Sequence, residues 1–269
     1  WVGGAGAIGP RKVLTGHPPS RVRVMEPHRR EWLHSVAMCV LRDKKMPSSP
    51  QVARPPLRVE WLGRRPYAPV HARMKELLLA RIAGEAPDTL LLVEHEPVFT
   101  LGRRRNAGAS VLAPGDIPVV QVERGGDATY HGPGQLTAYP ICALPPHRQD
   151  LHAWLHGLEA VVDRVLARWG IQGERDERNT GVWVDGRKIA AIGIACKRWV
   201  TWHGVAINVR VDLDHFKRID PCGMSSTLVT QVADHVERPP TMREAADTFG
   251  AEFRRWWTEY ASDTPFSQL

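Results

Sequence analysis

The sequence lacks any apolar run approaching the roughly 18 residues that a membrane-spanning helix needs, which excludes a helical span. Cysteine is scarce, with four in 269 residues, and no two of them form a CxxC pair. A disulfide scaffold is therefore not indicated, and a reducing compartment fits better. The His and Cys spacings match no compact zinc pattern, so no metal site is predicted. No internal repeat is visible.

Acidic residues are scarce in one part of the chain only, residues 1–50. The formal net charge is +7 and the sequence pI is about 9.5, values that suggest a nucleic-acid partner. Residues 1–50, however, carry nine Lys or Arg and three acidic residues, whereas the remaining 219 residues carry 27 and 26. Because the basic charge belongs to one terminal segment and the body is nearly neutral, we expect neither a nucleic-acid nor a membrane partner.

Residues 1–50 also lack a sustained period of 2 or 3.6 residues, and the first residue is Trp1. We expect them to form a disordered or non-native leader that catalysis does not need, with Met46 as a plausible natural start. The segment is rich in Arg and poor in acidic residues, as transit peptides are. The expected location is therefore the cytoplasm, or the mitochondrial matrix if the leader is a transit peptide.

The body, residues 51–269, mixes strand and helix patterns without strict βαβ alternation. Alternating or continuous apolar runs predict strands over 57–62, 89–94, 98–101, 117–122, 135–143, 182–184, 188–196 and 203–211. Helical spacing predicts helices over 70–83, 151–169 and 241–260. The Asp185-Gly186 pair is a strong hairpin-turn signal. This pattern predicts a single α+β domain with a mixed or largely antiparallel sheet.

The segment from Arg124 to Gln135 holds four glycines together with Arg, Thr, Tyr and His. Glycine lets the backbone approach a ligand closely and adopt positive φ, and the other side chains supply hydrogen-bond donors. A structural turn would need only two such residues, so the segment indicates ligand binding. It does not follow the GxGxxG spacing and it opens no helix, which argues against a dinucleotide-binding fold.

Other candidates are individually ambiguous. Lys188 begins an apolar run, where a lysine usually points to solvent but could act, if buried, as a proton carrier. His203 and Asn208 flank the start of an apolar strand, a position typical of structural residues. Cys222 lies between Pro221 and Gly223, a turn that would present the thiol as a nucleophile rather than pack it. Cys142 and Cys196 fall within strand patterns and are expected in the core.

Taken together, these segments resemble the octanoyltransferases of lipoate biosynthesis, from about residue 57 to 260 and in the same order. The resemblance rests on six motifs: His95 to Gly102, Arg124 to Tyr139, Thr180 to Val184, Lys188 to Gly193, His203 to Asn208, and Pro221-Cys222-Gly223. The long Arg-Gly-Gly…Tyr-His-Gly-Pro-Gly-Gln block is highly specific.

The resemblance implies an α+β fold like the catalytic domains of lipoate and biotin protein ligases. It implies transfer of octanoate from octanoyl-acyl carrier protein to a lysine of lipoyl domains, in 2-oxoacid dehydrogenase complexes and the glycine cleavage H protein. No cofactor is implied, since phosphopantetheine enters on the carrier protein. Cys222 is implied as the nucleophile that carries the acyl thioester, and Lys188 as the residue that lowers its pKa and transfers protons, with His203 and Asn208 in support. The implied acyl-site residues are Arg124, Gly125, Gly126, Asp127, Ala128, Thr129, Tyr130, His131, Ala191, Ile192, Gly193, Gly204, Val205 and Ala206.

Two features depart from the family. The loop after Cys222 is short, because Ser225-Ser226-Thr227-Leu228 follows quickly, and the basic leader has no counterpart in typical bacterial members. Three alternatives remain open at this point. They are an ATP-dependent lipoate or biotin protein ligase, a non-catalytic acyl- or RNA-binding protein that uses the leader, and a Cys222–His203 thiol hydrolase.

Overall fold

The computed structural model describes residues 56–104, 107–176, 179–220 and 228–262. The strands are β1 (Arg58–Arg65), β2 (Thr89–His95), β3 (Val98–Leu101), β4 (Val119–Gln121), β5 (Ala128–His131), β6 (Gln135–Ile141), β7 (Gly181–Val184), β8 (Arg187–Lys197) and β9 (Val200–Asn208). The helices are α1 (Tyr67–Ala83), α2 (Leu151–Arg168) and α3 (Met242–Tyr260). No helix in these ranges combines the length and apolar content needed to cross a membrane.

A six-stranded mixed sheet in the order β1-β2-β6-β9-β8-β7 is the centre of the fold. β1 and β2 pair in parallel, and the other pairs are antiparallel. Both faces of this sheet are covered, which explains why β2 reads as a continuous apolar run. Leu90 and Leu92 pack into the core with α2 and α3, whereas Leu91 and Val93 pack into the core with α1.

Two of the three helices begin at a capping side chain, whereas α1 follows Pro66 without one. At the start of α2, the Asp150 carboxylate accepts hydrogen bonds from the backbone N–H groups of His152 and Ala153. At the start of α3, Thr241 and Glu244 form a reciprocal capping box. The apolar faces of these helices then pack together on the central sheet, with Trp154 fully buried at their contact.

A second sheet of three strands, in the order β4-β3-β5, lies beside the first. Its core contains Phe99, Tyr130 and Phe216. The connection between β4 and β5 reaches the central sheet, because the Gly125 N–H donates to the Ile194 carbonyl of β8 at 2.9 Å. The fold therefore brings a glycine-rich loop of the small sheet against β8 and β9.

Every predicted strand and helix is present, with ends displaced by at most three residues. The Asp185-Gly186 turn is also confirmed, with φ of 50° and 69° at its two residues. Strand β5 was not among the predicted strands. The glycine-rich sequence around it predicts a loop, whereas the structure forms a strand over Ala128–His131. The mixed sheet with flanking helices agrees with the predicted α+β class.

Candidate active site

A cavity that is open at its mouth lies between the loop over residues 122–127 and strands β8 and β9. Of the fourteen predicted acyl-site residues, all but Tyr130 line this cavity, and so do Lys188 and His203. Segments that are far apart in the sequence thus share one concave surface. Cavities lined by apolar walls with a few convergent polar groups are the usual places for small-molecule binding.

The glycines of the loop permit the close approach that shapes one wall. Any Cβ on Gly102 would collide with the Gly126 carbonyl, and the Arg104 N–H donates to the same carbonyl at 3.1 Å. Two N–H groups of the segment are already engaged, since Gly125 donates to Ile194 and Ala128 donates to the Asp127 carboxylate at 2.8 Å. Those two groups cannot also donate to a substrate oxyanion.

Tyr130 and Asn208 lie outside the cavity lining. The Tyr130 ring stacks on His215 and packs against Phe99, inside the core of the small sheet. Alternation along β5 explains this placement, because neighbouring residues of a strand face opposite sides. Asn208 supports the site indirectly, since its side chain joins Gln135, which contacts His131, to the Thr230 carbonyl.

Lys188 lies near the start of β8, half-buried, with its ammonium group at the cavity. Its Nζ donates to Asn179 Oδ1 at 3.2 Å and lies 5.7 Å from the centre of the Trp183 ring. Its carbonyl accepts from the Thr230 N–H at 3.0 Å, and Val229 pairs with it in a parallel bridge. The structure thus places this lysine at the cavity rather than in open solvent.

Cys222 and its neighbours over 221–227 lie outside the described residues. The chain on either side of this segment can be followed. Phe216 before it and Val229 after it both line the cavity, and Val229 is bridged to Lys188. The Asp220 N–H donates to the Ser110 carbonyl at 2.7 Å, which fixes the preceding end. The role of Cys222 therefore stays a prediction from the sequence.

His203 has a left-handed φ of 56° in the middle of β9. Residues other than glycine rarely adopt this conformation, and it interrupts the alternation of the strand. As a result the consecutive rings of Trp202 and His203 both lie against His71 of α1, with centroids 6.0 and 5.8 Å away. His203 Nε2 lies 3.5 Å from Glu123 Oε2, in the loop that carries Arg124.

Among the described residues, Arg124, Asp127 and Lys188 are the charged ones that line the cavity, and buried histidines at or near it are neutral. Arg124 donates to the Thr100 carbonyl and to Thr100 Oγ1 at 2.8 and 2.9 Å, and a guanidinium keeps its charge in proteins. Burial lowers the pKa of His131 to about 3 and the pKa values of His95 and His203 to about 4. Burial opposes the charge on Glu123, but contacts with His203, Lys75 and His71 hold its carboxyl pKa well below the usual range.

These buried histidines predict that the protein loses stability in mild acid. Because the folded-state pKa values of His95 and His131 lie below the unfolded value of about 6.5, the unfolded chain binds more protons as pH falls. Between pH 7 and pH 5 each should cost on the order of 2 kcal/mol of unfolding free energy. Thermal unfolding at both pH values measures this, and the midpoint should be lower at pH 5.

The matched variants are His95→Gln, which removes a buried histidine whose pKa is lowered, and His152→Gln, which removes an exposed histidine. The first should lessen the difference between the two midpoints, and the second should leave it unchanged. Equal midpoints at pH 7 and pH 5 for the wild-type protein would contradict this account.

Sequence reasoning did not identify several residues of the lining: Tyr67, Thr137, Tyr139, Asn179, Phe216 and Val229. Tyr67 and Tyr139 are apolar-facing members of regular elements, with no local signal that separates them from the core. Asn179 directly precedes the Thr180-to-Val184 motif, and this position is the one sequence feature that could have marked it as a lining residue. The Tyr139 hydroxyl hydrogen-bonds to His95 Nε2 at 2.8 Å, which links this lining residue to the end of β2.

Comparison with known proteins supplies the family. Residues 66–254 match the family described as lipoyl protein ligase A/B catalytic domain. The chain is 52% identical to the octanoyltransferase of Gloeobacter violaceus over 161 residues, which are 60% of this chain and 72% of that protein. It is 46% identical to the octanoyltransferase of Xylella fastidiosa over 194 residues, covering 72% of this chain and 83% of that protein.

The chain belongs to the octanoyltransferase family. As an octanoyltransferase it is an acyltransferase enzyme, and the resemblance drawn from the six sequence motifs is confirmed. The family match spans the whole cavity, from Tyr67 in α1 to Val229, and it includes Lys188 and Cys222.

Solved structures confirm the α+β fold. A bi-partite lipoate protein ligase of Thermoplasma acidophilum superposes with a TM-score of 0.58 at 19% identity, covering 76% of this chain and 84% of that one. A lipoate-protein ligase A bound with ATP gives a TM-score of 0.60 at 16% identity, with 76% and 86% covered. At such identities the similarity concerns the fold alone.

Proposed function

We propose that this octanoyltransferase moves octanoate from octanoyl-acyl carrier protein to a lysine of lipoyl domains, through a thioester on Cys222. The acceptors would be lipoyl domains of 2-oxoacid dehydrogenase complexes and the glycine cleavage H protein. The observation that carries the proposal is the shared cavity, in which Lys188 faces the glycine-rich loop and both flanks of the Cys222 segment. No cofactor is required, because phosphopantetheine arrives on the carrier protein.

In the first half-reaction the Cys222 thiolate attacks the thioester carbonyl of octanoyl-phosphopantetheine. The tetrahedral intermediate collapses to octanoyl-Cys222, and the carrier thiolate takes a proton from the Lys188 ammonium group. In the second half-reaction the acceptor lysine attacks the new thioester, neutral Lys188 takes its proton, and the Cys222 thiolate leaves. The first exchange is nearly isoenergetic and the second is downhill, so ATP is not consumed.

The apolar wall of the cavity suits an eight-carbon chain. Ile192, Val205, Phe216 and Val229 line it, next to the polar end that holds Lys188. About seven methylenes at roughly 0.8 kcal/mol each would contribute about 5 kcal/mol to binding. The buried guanidinium of Arg124 lies at the same cavity and favours the negative charge that develops on the thioester oxygen.

The decisive experiment mixes the purified chain with octanoyl-acyl carrier protein in the absence of ATP and measures its intact mass. The expected result is one octanoyl adduct, mapped to Cys222 and discharged when a lipoyl domain is added. Strict dependence on ATP would favour the lipoate or biotin ligase alternative. Rapid release of free octanoate without any acceptor would favour the thiol hydrolase, and the absence of turnover would favour a binding protein.

The arginines after Gly102 are expected to help dock acidic protein substrates. Arg103 and Arg104 are exposed beside the glycine-rich loop, and Arg105 lies outside the described residues. Arg104 approaches the buried Asp127 carboxylate at 3.6 Å, so its reversal would disturb the loop itself. Arg103→Glu leaves that ion pair in place and is therefore the variant to test.

The Arg103→Glu variant should raise KM for the carrier protein roughly two- to fivefold and flatten the dependence of kcat/KM on salt. Steady-state kinetics at several salt concentrations measures both. Arg254→Glu, on the exposed side of α3, is the matched control and should change neither. If Arg103→Glu also changes neither, Arg103 is a surface residue without a docking role.

A further inference from the structure

Three potential metal ligands from separate elements meet beside the cavity, and one of them, His203, also lines it. They are His71 of α1, Glu123 in the loop after β4, and His203 of β9, and one ligand atom from each lies within 4.8 Å of the others. His71 and Glu123 are 52 residues apart in the sequence, so no short sequence motif contains both of them. Two imidazoles and one carboxylate form a donor set common at zinc sites.

The distances within the cluster fit a small cation after slight adjustment. His71 Nε2 lies 2.8 Å, and His203 Nε2 lies 3.5 Å, from the same oxygen, Oε2 of Glu123. Ligand atoms of a tetrahedral zinc site are about 3.3 Å apart, given zinc–ligand distances of roughly 2.0–2.1 Å. Lys75 forms an ion pair with the other oxygen, Oε1, at 2.8 Å, so the two histidines and the lysine approach different oxygens of the carboxylate.

A buried polar atom without a partner points to the same position. His203 is 2% exposed, and its Nε2 has no hydrogen-bond partner among the described residues. Its nearest approach, 3.5 Å to Glu123 Oε2, is longer than the usual N–H···O hydrogen bond, although the charge of the carboxylate still acts on it. A buried nitrogen in this condition normally costs free energy, and a bound cation would remove that cost.

We propose that His71 Nε2, Glu123 Oε2 and His203 Nε2 form a three-ligand site for a divalent first-row cation, with zinc as the best match. The fourth coordination position stays open for water. Glu123 precedes Arg124 and His203 precedes Gly204, so the bound ion would join α1 to both segments that line the acyl cavity. The ion takes no part in the proposed acyl transfer. Its effect is to raise the free energy of unfolding, because it binds the folded state only.

The test uses the full chain, stripped with a chelator and titrated with ZnCl₂ in a calorimeter, with metal content measured by mass spectrometry. Wild type should bind one zinc ion at this site and unfold at a higher temperature when zinc is present. His71→Ala and Glu123→Gln should each weaken zinc binding at least about tenfold, since even lost outer-shell contacts cost about that much. His203→Ala should do the same, provided that circular dichroism shows it folded.

Two controls separate this site from other zinc ligands. His156 forms a surface pair with Glu159 at 3.0 Å on α2, so His156→Ala should bind zinc as wild type does. Cys222→Ala should also keep the zinc, which distinguishes failure of this inference from failure of the thioester mechanism. Undetectable zinc binding by wild type, wild-type affinity in His71→Ala and Glu123→Gln, or loss of binding in Cys222→Ala would each overturn the proposal.

Discussion

Replacing Cys222 by alanine should lower octanoyl transfer by roughly 10⁴-fold or more and should eliminate the acyl-enzyme adduct. The reason is that the proposed route has two half-reactions and both pass through the same sulfur atom. Without it, the acceptor lysine would have to attack the carrier thioester directly. Intact mass after mixing with octanoyl-acyl carrier protein, together with product formation on a lipoyl domain, measures both losses.

The matched control is Cys196→Ala, because Cys196 is 4% exposed and lies in the core cluster between the central sheet and helices α2 and α3. That variant should keep the adduct and most of the activity, at a moderate cost in stability. Substantial transfer by Cys222→Ala, or an adduct found on Cys142 or Cys196, would show that another group carries the acyl chain.

Regular elements were predictable because their local signals agree with the global fold. Eight apolar residues of α2 with 3, 4, 7 spacing form its buried face, and the Asp150 cap fixes its start. Strand β2 was equally clear, since four consecutive apolar residues can only be buried on both faces of a covered sheet. The Asp185-Gly186 turn follows from the preference of these residues for positive φ.

Other features have no local signal. The hairpin between β8 and β9 turns at Arg198 and Trp199, with φ of 50° and 59°, although neither residue favours that conformation. Pairing of β8 with β9 over many residues imposes it, so tertiary structure outweighs propensity there. Strand β5 was not predicted, because it is only four residues long and the glycines on both sides of it indicate a loop. Pairing with β3 makes this segment a strand.

The candidate site was predictable only in part. The resemblance named segments, and the structure gathers thirteen of their fourteen acyl-site residues around one cavity. Alternation along β5 turns Tyr130 away, a fact that required the strand to be recognised first. Partners such as Asn179 for Lys188, or Glu123 for His71, depend on loops whose paths the sequence does not encode locally.

Lys188→Ala should slow both half-reactions by about 10²–10⁴-fold while leaving the Cys222 thiol in place. We expect the ammonium group to favour the thiolate, so its loss should raise the thiol pKa and slow alkylation near neutral pH. Iodoacetamide labelling of Cys222 across a range of pH measures this directly. The labelling curve of Lys188→Ala should lie at higher pH than that of wild type.

Lys188→Arg separates charge from proton transfer. A guanidinium retains the positive charge but does not give up its proton, so labelling should stay fast while transfer to the acceptor lysine slows. Lys197→Ala, at the exposed far end of the same strand, is the matched control and should alter neither reaction. The double variant Lys188→Ala with Cys222→Ala should be no worse than Cys222→Ala alone, since the same step cannot be lost twice. Superimposable labelling curves for wild type and Lys188→Ala would remove Lys188 from the activation of the thiol.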